Sequence, residues 1–187
     1  EMSISSLKND WAEQDPNVWW KHTCTAIKRV CKESNIDPKK IISIGISYQM
    51  HGLVIVDKNG EPLRDSIIWC DSRAVNIGND AYEKLGKDKC MSHLLNSPGN
   101  FTASKLKWVK ENEPEVYEKI YKYMLPGDFI AYKLTGEINT TRNGLSEGII
   151  WDYKNNEIAN WLLDYYGINP NLTPDSVSYT HLTLPTR

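Results

Sequence analysis

The sequence predicts an α/β fold from the order of a helix, a strand and a hairpin near its start. Residues 16–34 carry apolar side chains at helical spacing, with Asp15 as the candidate N-cap. The β-branched apolar run over residues 41–47 predicts a buried strand beside that helix. Asn59 and Gly60, between two apolar runs, then predict a β-hairpin over residues 53–63. A helix followed directly by a strand is typical of a layered α/β domain.

The rest of the chain is predicted to be mainly helical. A short strand over residues 67–69 precedes this part, and the helical pattern begins at Ala74. Gly136 and Gly167 are predicted to end helices. The predicted helices cover residues 105–112, 114–121, 128–134 and 158–166, and a return to strand is predicted over residues 145–151.

Composition excludes several classes of function. With a formal net charge of −2, the chain has no basic excess that would indicate a nucleic-acid partner. No apolar run approaches the roughly 18 residues that a membrane span needs, and the first residues do not resemble a secretory signal. Cys24, Cys31, Cys70 and Cys90 lack the spacing of metal ligands. We therefore expect a cytoplasmic protein with no membrane partner, no nucleic-acid partner and no metal site in this chain.

The polar tetrapeptide Gln49-Met50-His51-Gly52, directly after the predicted strand, is the candidate binding edge. In open α/β sheets, ligands bind at the carboxyl ends of strands. His51 offers a hydrogen-bond donor and an acceptor to a hydroxyl-rich ligand, and Gly52 permits a turn or a close backbone approach. Isolated histidines are more often structural, so the residues alone leave both roles of His51 open.

Four further blocks stand in a fixed order around this tetrapeptide and lead into a fifth. They are residues 11–16 with Trp19-Trp20, 68–73, 97–109 and 125–137, and then 145–152. Together the blocks resemble the amino-terminal half of the FGGY carbohydrate kinases over roughly residues 11–175. The lysine-tryptophan signature of that family is matched at Thr102, Lys105, Leu106, Trp108 and Val109, whereas Asn100 stands where relatives often have glycine.

The resemblance implies a ribonuclease-H/actin-like ATPase-type α/β domain, here without its opening β-hairpin. It implies a whole protein that phosphorylates a sugar with ATP and Mg²⁺. Met50 and His51 would contact the sugar, and Gln49 would either bond to the sugar or brace the strand end. Gly52 favours a ketose, D-xylulose above all, since related gluconate kinases tend to have serine there. A kinase for gluconate, ribulose or a polyol, and a non-catalytic sugar-binding module, remain as alternatives.

The second strand end carries Trp69, Asp71 and Arg73, and two roles compete for each of them. Asp71 and Arg73 either form a structural salt bridge, with each other or with a neighbouring segment, or help to wall the sugar pocket. Trp69 either stacks on a sugar face or belongs to the core. We expect Lys105 and Trp108 to serve the scaffold more than the ligand site.

Two parts of the family pattern do not occur in this sequence. These are the Asp-x-Gly-Thr hairpin that approaches the ATP phosphates and the Gly-Gly-Gly-Asp-Asn segment that carries the catalytic base. We therefore expect residues 1–175 to be a partial amino-terminal kinase domain with no catalytic residue of its own and no activity in isolation. Residues 176–187 are predicted to be a non-native tail, because they read as the translation of a sequencing adapter. The expected partners are a sugar and a nucleotide, and a homodimer is left open.

Overall fold

A computed structural model describes residues 2–177, in which short strands alternate with helices. The α-helices are α1 Pro16–Glu33, α2 Val75–Leu85, α3 Lys87–His93, α4 Thr102–Asn112, α5 Pro114–Tyr117, α6 Pro126–Thr135, α7 Arg142–Glu147 and α8 Asn160–Tyr166. The strands are β1 Glu13–Gln14, β2 Val54–Val56, β3 Ser66–Ile67, β4 Lys122–Met124, β5 Asn139–Thr141, β6 Trp151–Asp152, β7 Glu157–Ile158 and β8 Asp175–Val177.

The strands of the described residues pair two by two. Strand β1 pairs with β3, β2 with β4 and β6 with β7, each antiparallel, whereas β5 and β8 are parallel. An isolated bridge between Leu53 and Ile67 links the β2 segment to β3. The β1–β3 and β2–β4 pairs are therefore joined at the point where the candidate tetrapeptide ends.

Strand β2 is buried on both of its faces, which defines the layered α/β architecture. Leu53 and Ile55 point into a cluster that includes buried residues of α4 and α8. Val54 and Val56 point the other way, into a second cluster with Trp19 of α1 and residues of α6. Because side chains alternate across a strand, helices cover both sides of β2. The predicted α/β class is confirmed.

The predicted strand over residues 41–47 is wrong. The segment belongs to no strand, and none of the described strands pairs with it. Ile42 is 96% exposed, and Ile41 and Ile44 are 38% and 39% exposed. An apolar β-branched run indicates that a segment favours a sheet, but a strand forms only where a neighbour satisfies its N–H and C=O groups.

Helix α1 is confirmed, although most of its apolar face is not packed. Asp15 caps it as predicted, since its carboxylate accepts a hydrogen bond of 2.8 Å from the N–H of Asn17. Only Pro16 and Trp19 of the helix are buried, whereas Val30 is 56% exposed. The helix does not flank the 41–47 segment within a sheet, because that segment has no sheet partner among the described residues.

Most of the other predicted elements are confirmed, with corrections. The predicted 53–63 hairpin keeps its turn and an isolated bridge between Val56 and Pro62, but the strand partner of β2 is β4. The Asn-Gly turn is present with Gly60 at φ 77°, and Gly136 and Gly167 end α6 and α8 in the left-handed conformation. The predicted return to strand over residues 145–151 is wrong for its first half, because α7 extends to Glu147 and only Trp151 begins β6. The predicted 114–121 helix ends at Tyr117, and β4 follows it.

The predicted non-native tail falls mostly on residues 178–187, which lie outside the described residues. Ser176 and Val177, at the start of that tail, belong to β8 and lie beside Thr140 and Thr141 of β5. Between residues 2 and 177, no helix is long and apolar enough to cross a membrane.

Candidate functional site

The candidate tetrapeptide forms a turn that leads into β2. His51 adopts the left-handed backbone conformation, with φ 62°, which is uncommon for a residue other than glycine. Gly52 lies directly under Pro126 of α6, so that a Cβ atom at position 52 would come within 2.5 Å of the proline ring. The expected close backbone approach at Gly52 is therefore confirmed.

Glu147, at the end of α7, contacts His51 through its side chain and its backbone. Its Oε1 atom accepts a hydrogen bond of 2.9 Å from the His51 N–H. Its backbone carbonyl lies 3.3 Å from Nδ1 of the His51 ring. The other carboxylate oxygen, Oε2, accepts a hydrogen bond of 3.1 Å from the Tyr48 hydroxyl. Glu147 therefore connects Tyr48 and His51, the residues that flank Gln49 and Met50, to α7.

The His51 ring is half-buried against Phe101. The two ring centroids are 4.2 Å apart and the planes are inclined by 71°, an edge-to-face contact. Burial lowers the pKa of the His51 imidazole, and the Lys105 ammonium group lowers it further, against the opposing effect of Glu147. The neutral form of the ring is thereby favoured, which suits hydrogen bonding to an uncharged ligand.

Lys105 of α4 ties the turn to the second strand end. Its side chain is fully buried, and its Nζ atom donates hydrogen bonds to the carbonyl oxygens of His51, at 2.8 Å, and Ile68, at 3.0 Å. Burial lowers the pKa of this ammonium group to about 8. Lys105 thus joins the turn of residues 49–52 to the segment that follows β3.

Met50 and Trp69 are exposed at the rim of this region, and Gln49 beside them is half-buried. The N–H of Trp69 donates a hydrogen bond of 3.0 Å to the Gln49 side-chain oxygen, so Gln49 braces the two chain segments against each other. Met50 is 56% exposed and Trp69 is 61% exposed, which places Trp69 outside the core. The side chains of Met50 and Trp69 are therefore accessible to a ligand from solvent.

Asp71 and Arg73 form a buried ion pair rather than an exposed edge. The guanidinium group lies 2.6 Å from the Asp71 carboxylate and 2.6 Å from the carboxylate of Glu13. It also stacks on Trp11, with its central carbon 3.8 Å from the ring centroid. Asp71 additionally accepts a hydrogen bond of 2.7 Å from the Ala12 N–H. These contacts pair both charges within the protein, as the structural alternative requires.

Sequence reasoning did not anticipate Tyr48 and Glu147 as neighbours of His51. Glu147 is 96 residues away from His51 along the chain, and no local pattern reports such a pairing. A signal did exist for Lys105, because it belongs to the family signature of residues 102–109, most of which the structure buries. A lysine within an otherwise buried helical face indicates a specific partner.

Comparison with known proteins defines the class of protein to which this site belongs. The model of the amino-terminal domain of the FGGY family of carbohydrate kinases matches residues 1–183. The chain belongs to the FGGY family of carbohydrate kinases, and its solved neighbours share the actin-like ATPase fold. The predicted family and fold are thereby confirmed.

Individual relatives include proteins named for xylulose and for gluconate. The chain is 33% identical to the xylulose kinase of Staphylococcus xylosus, over 91% of this chain and 35% of that protein. It superposes on the "xyloylose kinase" of Brucella ovis with a TM-score of 0.86 and 29% identity, covering 95% of this chain and 36% of that one. It superposes on the gluconate kinase of Lactobacillus acidophilus with a TM-score of 0.83 and 26% identity, covering 94% and 35%. The chain thus spans about a third of the length of the relatives that it matches.

Proposed function

We propose that the complete protein is an ATP-dependent sugar kinase that converts D-xylulose to D-xylulose 5-phosphate, and that residues 49–52 hold the sugar. The observation that carries this proposal is the His51 turn. His51 is fixed at its N–H, its carbonyl oxygen and its ring Nδ1, so the remaining ring nitrogen, Nε2, is left for a ligand. The names of the relatives in Staphylococcus and Brucella support D-xylulose as the substrate.

Phosphoryl transfer is mainly positioning of the sugar hydroxyl and neutralisation of phosphate charge. The described residues contribute to positioning. Met50 and Trp69 offer accessible surface for the carbon skeleton of a sugar, beside the half-buried His51 ring.

ATP and Mg²⁺ are proposed for the complete protein. Residues 2–177 contain no group of three or more His, Cys, Asp or Glu side chains that fits a metal ion. We therefore assign no phosphate or metal step to these residues. We also propose that the isolated 187-residue chain does not phosphorylate sugars, since it corresponds to 35% of the Staphylococcus xylulose kinase.

The test is a substrate panel with the complete protein encoded by the gene. ADP release would be measured with D-xylulose, D-ribulose, a polyol and D-gluconate in the presence of ATP and Mg²⁺. We expect the highest kcat/KM for D-xylulose. Equal or better turnover of gluconate would replace the xylulose assignment with gluconate, the second candidate, which has the support of the name of one solved Lactobacillus neighbour. Sugar binding without any ADP release would favour a non-catalytic sugar-binding module.

A further inference from the structure

The ring contact between His51 and Glu147 determines which ring nitrogen carries the hydrogen. A backbone carbonyl oxygen accepts hydrogen bonds and cannot donate them, so Nδ1 must donate to the Glu147 carbonyl, 3.3 Å away. In a neutral imidazole with hydrogen on Nδ1, the other nitrogen, Nε2, is a hydrogen-bond acceptor. Burial against Phe101 and the nearby Lys105 ammonium group favour the neutral ring.

The Glu147 carboxylate supplies the second half of this arrangement. It accepts the His51 N–H at 2.9 Å and is itself held by the Tyr48 hydroxyl at 3.1 Å. Lys105 donates to the His51 carbonyl oxygen from the opposite side, at 2.8 Å. A residue other than glycine stays in the left-handed conformation only when its surroundings determine it strongly, and these two charged side chains do so.

We propose that Glu147 is a positioning residue that fixes His51 in the Nδ1–H tautomer, so that Nε2 accepts a hydrogen bond from a sugar hydroxyl group. This inference rests on the proposed function, in which His51 binds the sugar. An acceptor at this point selects a ligand group that carries a hydrogen. A hydroxyl group satisfies it, whereas a carbonyl or carboxylate oxygen at the same place leaves two acceptors facing each other.

The tautomer is tested directly by ¹H–¹⁵N NMR of the complete protein labelled at histidine. The His51 resonances are assigned by their loss in His51→Ala. We expect a protonated Nδ1 and an unprotonated Nε2 in the unaltered protein. Glu147→Ala keeps the backbone carbonyl that accepts from Nδ1 but removes the carboxylate that holds the His51 N–H. The ring should then leave that carbonyl in part of the molecules, which gives a mixture of tautomers. A protonated Nε2 in the unaltered protein would overturn the proposal.

The kinetic test separates positioning from folding. Glu147→Ala should raise the KM for the sugar by about 10- to 100-fold, with little change in the KM for ATP. Glu147→Gln keeps an acceptor oxygen for the His51 N–H and should recover part of this loss. Tyr48→Phe, which removes the donor to Glu147, should have a smaller effect in the same direction. Glu118→Ala, at an exposed glutamate, is the matched control and should change neither quantity.

The two tests also separate this inference from the proposed function. If Glu147→Ala, or Glu147→Gln where the alanine variant does not fold, keeps both the tautomer and the sugar KM, the Glu147 carboxylate does not position His51 and the proposal fails. If the unaltered protein phosphorylates no sugar, the proposed function fails, and the NMR measurement still decides whether Glu147 sets the tautomer.

Discussion

The Nζ atom of Lys105 lies 2.8 Å from the carbonyl oxygen of His51, inside the protein. The same ammonium group donates to the carbonyl oxygen of Ile68, at 3.0 Å. One buried cation therefore joins the turn that carries His51 to the strand end that carries Trp69. The lysine of the family signature thus contacts the backbone of the candidate site while it lies within the scaffold.

The lowered pKa of Lys105 predicts a dependence of stability on pH. Because the ammonium group has a folded-state pKa of about 8, below its usual 10.5, the unfolded chain binds more protons between these two values. The contribution of Lys105 to the free energy of unfolding should therefore rise as pH increases from about 8 towards about 10. In the complete protein, the melting temperature relative to that of Lys105→Met should increase between about pH 7.5 and about pH 9.5.

Lys119→Met, at an exposed lysine, is the control and should show no such trend relative to the unaltered protein. Parallel melting curves for the unaltered protein and Lys105→Met across this range would contradict the prediction.

The raised pKa of Asp128 predicts a dependence of stability on pH in a lower range. Burial raises the pKa of its carboxyl group to about 6, although Thr140 and the Leu125 N–H donate hydrogen bonds to it. The folded state then holds the proton more tightly than the unfolded state, so stability from this group falls as pH rises from about 4 to about 6. Asp128→Asn keeps an acceptor oxygen and cannot ionise. Its melting temperature relative to the unaltered protein should therefore increase over that interval and stay constant above it.

Asp164→Asn, at an exposed aspartate, provides the comparison. A difference between Asp128→Asn and the unaltered protein that stays the same at about pH 4.5 and about pH 7.5 would rule out a raised pKa at Asp128.

Substitution of Asp71 tests whether the buried Asp71–Arg73 pair has a structural role or forms part of the sugar pocket. Asp71→Asn leaves the guanidinium group, which is 1% exposed, with Glu13 as its remaining carboxylate partner. Breaking a buried ion pair costs about 3–5 kcal/mol, so a large fall in melting temperature is expected. Sugar kinetics of the folded fraction should stay near normal. A raised sugar KM at an unchanged melting temperature would instead place Asp71 in the pocket wall.

The sequence predicted the elements whose signals are local. Asp15 caps α1 and Gly167 ends α8 as predicted, because capping depends on neighbouring residues. The 41–47 segment was predicted wrongly because its pattern reports a tendency to be buried and not the presence of a partner strand. The start of the 145–151 segment was predicted wrongly because short apolar runs do not distinguish helix from strand. Helix α7, which Thr141 caps at its start, continues into this segment.

The candidate site was predictable in part. The tetrapeptide at residues 49–52 could be chosen from its position after an apolar run and from the family resemblance. The contact of His51 with Glu147 could not, since it joins residues 96 positions apart. The choice between two roles for Asp71 also required coordinates, because burial and the position of Glu13 are set by tertiary packing.

The kinetics of His51→Ala in the complete protein test most directly whether His51 binds the sugar. Removing a hydrogen-bonding ring from a site that the bound sugar shields from water costs ~2–4 kcal/mol, so kcat/KM for D-xylulose should fall by ~30- to 1,000-fold. The KM for ATP should change little, and the melting temperature should fall only modestly, through loss of the ring contact with Phe101. His22→Ala, at an exposed histidine of α1, should match the unaltered protein. A His51→Ala protein with a lowered melting temperature and unchanged sugar kinetics would contradict the account and make His51 a structural residue.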